Sequence, residues 1–215
     1  MDQGDIRKGI DALSTDLRSR FAAVEQLSPD QAGAIVRRYT AAFIGNFMTW
    51  LSAGAIASRS ADARHAMAEN LEVEFRDDHQ GMLWDFAASV KALPDADDYR
   101  AVQEDVQSIR QEVAKLNGVQ LNALAAILET TSLSFIPYLE ALARKLGDNS
   151  ANLRYTRVHG EADVLHADQF VNALAVEMHR DYADPGKDFQ SMIDLSGKLL
   201  KTIFATGPDK VAAVH

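Results

Sequence analysis

The sequence of 215 residues contains no cysteine. That absence excludes disulfides, thiolate zinc sites, iron–sulfur clusters and every cysteine nucleophile. It is compatible with a reducing compartment. Basic charge is also short, with 22 Lys and Arg against 31 Asp and Glu and a formal net charge of −9. So acidic a chain repels a phosphate backbone, and nucleic acid is not an expected partner. No uninterrupted apolar run approaches the roughly 18 residues of a membrane span. The richest stretch, YTAAFIGNFMTWLSAGAIA, is interrupted by glycines, Asn46 and threonines and reads as a buried core helix. The N-terminal MDQGDIRKGIDALSTDLRSRF carries acids and lacks the apolar centre of a signal peptide. The expectation is a soluble, cytoplasmic protein without a membrane partner.

What the chain does have is apolar content, 47% of its residues, enough for a substantial core in one domain. Nothing reads as a strand. Ile6, Ile10, Leu13, Leu17, Phe21 and Val24 step by three or four and predict a helix over about residues 4–26. Ser28, Pro29 and Gln31 form an N-cap, a proline at the first helical position and a capping-box partner. The second helix then extends to about residue 57, with Tyr39, Phe43 and Phe47 along one side. A third spans roughly 60–93, with a bend near Asp77 and Asp78, and stops at Pro94. A charged amphipathic helix ends at Asn117-Gly118. The following one is expected to bend or break at Thr130-Thr131-Ser132 and Pro137. A long helix over about 150–182 and a last one over about 187–204 complete the chain. The expectation is a single all-α domain, residues 1–215, of about seven helices.

The stretch YTRVHGEADVLHADQF places His159, Asp163 and His166 at i, i+4 and i+7, on one helical face. That face normally carries leucine and valine, so three polar groups there need partners. Candidate partners are Glu72 and His79, seven residues apart in ENLEVEFRDDHQGM, and Glu129, an acid at the end of the apolar run ALAAILETTS. Three imidazoles and three carboxylates suit two first-row metal ions with open positions. Each motif alone also arises on solvated helix faces; their joint occurrence and order carry the metal reading. Tyr155, one turn before His159, is the candidate catalytic side chain, its alternative being a core tyrosine. Gly160 is costly inside a helix and points to a close approach by a helix or substrate.

In that order, Glu-x6-His, Glu, then His-x3-Asp-x2-His resembles the haem-oxygenase-like dimetal oxidases, grouped with iron-containing redox enzymes. The resemblance covers a core of about residues 30–205. It implies a seven-helix haem-oxygenase-like bundle in which Glu72, His79, Glu129, His159, Asp163 and His166 hold two ferrous ions, with manganese as a substitute. It also implies dioxygen as co-substrate and a small amino-acid-like or fatty-acid-like substrate. N-oxygenation, desaturation or carbon–carbon cleavage is then the expected outcome. An unidentified electron donor and a possible homodimer come with it. Sister families fit less well: the chain lacks a nucleophilic cysteine, its first histidine is His65, and it has no Glu-x-x-His pair. The alternatives are a metal-free helical binding or regulatory protein and a hydrolytic relative of the same fold.

Overall fold

Helix boundaries follow the capping residues closely in the computed structural model, which describes residues 1–147 and 153–206, and only the backbone of 161–164. Helix α1 (Gln3–Arg20) begins at an Asp2–Asp5 capping box, and α2 (Pro29–Phe43) at the Ser28–Gln31 box with Pro29 in the first turn. The remaining helices are α3 (Asn46–Ala57), α4 (Ala61–Arg76), α5 (His79–Ser89), α6 (Ala96–Val113), α7 (Gly118–Lys145), α8 (Arg154–Glu177) and α9 (Pro185–Ile203). A short 3-10 turn, Val24–Gln26, lies between the first two. No strand occurs among the described residues. The all-α expectation holds.

Among the described residues, nine α-helices replace the expected seven because two long helices are each broken once. Gly45 adopts a left-handed φ of 71° and separates α2 from α3. Asp78, with φ of 53°, separates α4 from α5, and its side chain caps Gly81. A left-handed residue ends one helix and re-aims the next. The opposite happens in α7. The Thr131 hydroxyl bonds back to the Ile127 carbonyl and Ser132 to Glu129, so the polar run is absorbed within the helix. Pro137 also lies inside α7, and the helix continues to Lys145.

Helix α7 is the centre of the molecule. From Gly118 to Glu129 every residue is buried. It packs most extensively along α8 and also against α1, α2, α3 and α9. By length and composition, Gly118–Lys145 and Pro29–Ala57 would each suffice to cross a membrane, but 83% of the apolar window of Gly118–Lys145 is buried in the protein. It is a core helix. Helix α8 in turn receives α4 and α5 on another side. The junction of α4, α5, α7 and α8 is therefore where distant polar residues can meet.

Gly160 is exposed, and a Cβ built there meets nothing within 4 Å. No neighbouring helix makes a close approach there among the described residues. Gly160→Ala is accordingly expected to stabilise the protein by up to about 1 kcal/mol, through the gain in helix propensity. A thermal melt showing a clear loss of stability would contradict this.

Candidate metal centre

Helix α4 brings Glu74, not Glu72, to the junction. Glu74 is 7% exposed, whereas Glu72 is exposed to solvent. The seven-residue spacing from Glu72 to His79 puts both on one face only if the helix is continuous. The left-handed Asp78 breaks it, and Glu72 and Glu74 lie about 200° apart around α4. Glu74 Oε1 stands 2.8 Å from His79 Nδ1. Sequence reasoning missed Glu74 because nothing distinguishes it from its neighbours in the pattern LEVEF.

His79 is 3% exposed, and its ring lies 4.7 Å from that of His159, centroid to centroid. Glu74, His79 and His159 each offer one donor atom, all within 4.8 Å of one another. His159 Nδ1 is 2.9 Å from the Tyr155 carbonyl oxygen. A carbonyl only accepts, so Nδ1 carries the proton and Nε2 keeps its lone pair. His79 Nε2 is buried and has no hydrogen-bond partner among the described residues. A buried polar atom of this kind calls for a ligand.

Beside this group, Glu129 of α7 is 6% exposed. Its Oε2 lies 3.7 Å from His166 Nδ1 of α8. Asn70 of α4, 1% exposed, places its amide nitrogen 3.0 Å from His166 Nδ1 and 3.4 Å from Glu129 Oε1. No sequence pattern singled out Asn70. The structure thus brings together His79, Glu129, His159 and His166 of the expected residues, adds Glu74 and Asn70, and leaves Glu72 outside. Position 163 lies in α8 between His159 and His166, but the Asp163 side chain is outside the described residues.

One cavity reaches four of these groups. It has about 510 Å³ of free space including its mouth, and Glu74, His79, Glu129 and His159 share its wall with aromatic and aliphatic side chains. Tyr39, Phe43, Phe47 and Phe135 form the aromatic side. No lysine or arginine lines it among the described residues. Tyr155, 5% exposed, lies with its ring 4.2 Å from His159 and its hydroxyl 2.6 Å from that of Tyr39. Arg154, Arg157 and Arg180 are exposed.

The electrostatics follow from burial. Burial holds the His159 pKa down to about 4, with the neighbouring His79 adding to the effect. Burial pushes the Glu129 carboxyl up, and the Glu129 carboxylate pushes His166 up. For His159 the unfolded chain binds a proton below about pH 6.5 that the folded chain refuses until about 4. The metal-free protein should therefore lose stability through His159 as pH falls across that window, by at most about 1.4 kcal/mol per unit. His166 has the opposite sign: its contribution is complete below its unfolded value and is lost as pH rises through its folded one. Comparing the wild type with His159→Gln isolates the first effect. The wild type should lose ground relative to the variant between pH 6.5 and 4.5; a constant difference in Tm would contradict the assignment.

A single all-helical domain with imidazoles and carboxylates converging inside it from separate helices is the architecture of a helical metalloprotein. The family of iron-containing redox enzymes matches residues 38–193, and the chain belongs to that family. A search of curated proteins returned no match. The donor set fits iron: imidazole and carboxylate together suit first-row metals, and the buried His79 Nε2 is a donor with nothing to bind.

Proposed function

We propose that this oxidoreductase is a non-haem di-iron oxidase or oxygenase that uses dioxygen to oxidise a small metabolite. The observation that carries the reading is the convergence of His79, His159, Glu74 and Glu129 on one largely apolar cavity. His79 and His159 would hold one iron through Nε2, with Glu74 beside them. Glu129 and His166 would hold the second, joined by Asp163 from its place on α8. Ferrous iron, when bound, supplies the electrons and open positions that dioxygen reduction needs.

The chain's own residues do the rest. Burial keeps His159 neutral, so its lone pair is available at any pH well above 4. Phe43, Phe47 and Phe135 exclude water and hold an apolar substrate body beside the imidazoles. Gln80 and Ser132 are uncharged polar groups of the wall, beside the Tyr39 and Tyr155 hydroxyls, able to orient a substrate heteroatom. With no cation in that wall, a substrate carboxylate, whether of an amino-acid-like or a fatty-acid-like molecule, would remain at the mouth or meet the metal. The reading includes an external electron donor and a cytoplasmic location.

A metal-free binding protein is the second reading, and the Glu74–His79 and Glu129–His166 pairs favour it. The unpartnered His79 Nε2 weighs against it. The deciding experiment is anaerobic reconstitution with ferrous iron, metal analysis, and rapid mixing with oxygen and candidate amino acids or fatty acids. Two irons per chain and iron-dependent oxygen consumption are expected, with Asp163→Ala as impaired as His159→Ala. An ordinary surface aspartate would tolerate alanine. Full oxygen consumption by Asp163→Ala with a genuine substrate would refute this assignment.

A further inference from the structure

Glu74 belongs to no recognised motif in this chain, yet it is among the most buried carboxylates at the junction. Its Oε1 faces His79 Nδ1 at 2.8 Å, and the contact joins the last full turn of α4 to the first residue of α5 across the Asp77–Asp78 break. A carboxylate accepts hydrogen bonds, so the proton of the neutral ring sits on Nδ1. The lone pair is then on Nε2, the buried atom without a partner.

We propose that Glu74 is the positioning residue of His79: it fixes the ring's tautomer and orientation and thereby presents Nε2 to the metal. The inference rests on the reading of this junction as a metal centre. His159 is organised in the same manner, with the Tyr155 carbonyl in the place of the carboxylate. The two rings thus stand side by side, each held at Nδ1 and each offering Nε2. A carboxylate behind an imidazole also makes it a more basic donor. Without Glu74, His79 would keep its place at the start of α5, but neither tautomer would be preferred. Glu72, on the outer side of α4, cannot substitute for it.

The test uses two readouts on the full chain, with Glu74→Leu, Glu74→Gln and Glu72→Gln. Long-range proton–nitrogen NMR of the metal-free, 15N-histidine-labelled protein reads the tautomer of His79. The wild type and Glu74→Gln should show the proton on Nδ1, since the glutamine carbonyl also accepts; Glu74→Leu should show a mixture. Anaerobic ferrous-iron titration should show affinity weakened about 10–100-fold in Glu74→Leu and only a few-fold in Glu74→Gln. Glu72→Gln should match the wild type in the tautomer readout. Unchanged tautomer and affinity in Glu74→Leu would overturn the proposal. So would loss of metal from Glu74→Gln as complete as from His79→Ala, which would make Glu74 a direct ligand. The NMR readout needs no metal, so a wild type that binds no iron defeats the oxidase reading separately from the Glu74–His79 contact.

Discussion

Replacing His79 by alanine is expected to reduce ferrous-iron retention after anaerobic reconstitution and desalting by at least about tenfold. Among the described residues its Nε2 is a buried ring nitrogen left without a hydrogen bond, and a His79 nitrogen lies within 4.8 Å of donors of Glu74 and His159. Its removal deletes a donor and also strips Glu74 of its 2.8 Å partner. A buried carboxylate losing its partner costs about 1–3 kcal/mol, so a lower Tm should accompany the loss of metal. The two effects separate in the double variant with Glu74→Leu, which removes the stranded charge. Its metal-free stability should recover towards that of the wild type, while iron retention stays low. Wild-type iron content in His79→Ala would remove His79 from the site.

The histidines were legible in the sequence because α8 is one unbroken helix, and i, i+7 spacing survives in a regular element. Glu129 was legible for a different reason: an acid at the end of an apolar run must have a partner or reach solvent. Glu72 does not share a face with His79 because the spacing crosses a left-handed aspartate, and periodicity cannot see a single residue that changes φ. Gly45 split the second helix by the same mechanism. Pro137 erred in the other direction. The tertiary packing of α7 between α8 and its other neighbours overrides one missing backbone donor, so local propensity overstated the break. Asn70 carried no signal at all, since its role comes from α4 lying across α8, a matter of packing rather than pattern.

Glu129→Leu should separate stability from function most sharply, because its two effects have opposite signs. Glu129 is buried with poor compensation: its contact to His166 is 3.7 Å, beyond hydrogen-bond length, and that to Asn70 is a long 3.4 Å. Burial raises its pKa for this reason. Leucine has a similar volume and no charge to desolvate, and such replacements of buried ionic groups are often neutral or stabilising by about 1–4 kcal/mol. His166 is not stranded by the change. Asn70 remains 3.0 Å from its Nδ1, and the change removes the Glu129 carboxylate, the main cause of the raised His166 pKa. The metal-free variant should therefore melt at or above the wild-type Tm. Ferrous iron should then stabilise the wild type, by about 2.7 kcal/mol at a free concentration one hundred times its Kd, and the variant less. The order of the melting temperatures would reverse on adding iron under anaerobic conditions. If Glu129→Leu instead lowers the metal-free Tm and leaves the iron-induced shift intact, the carboxylate is a structural partner of His166 and not part of a metal centre.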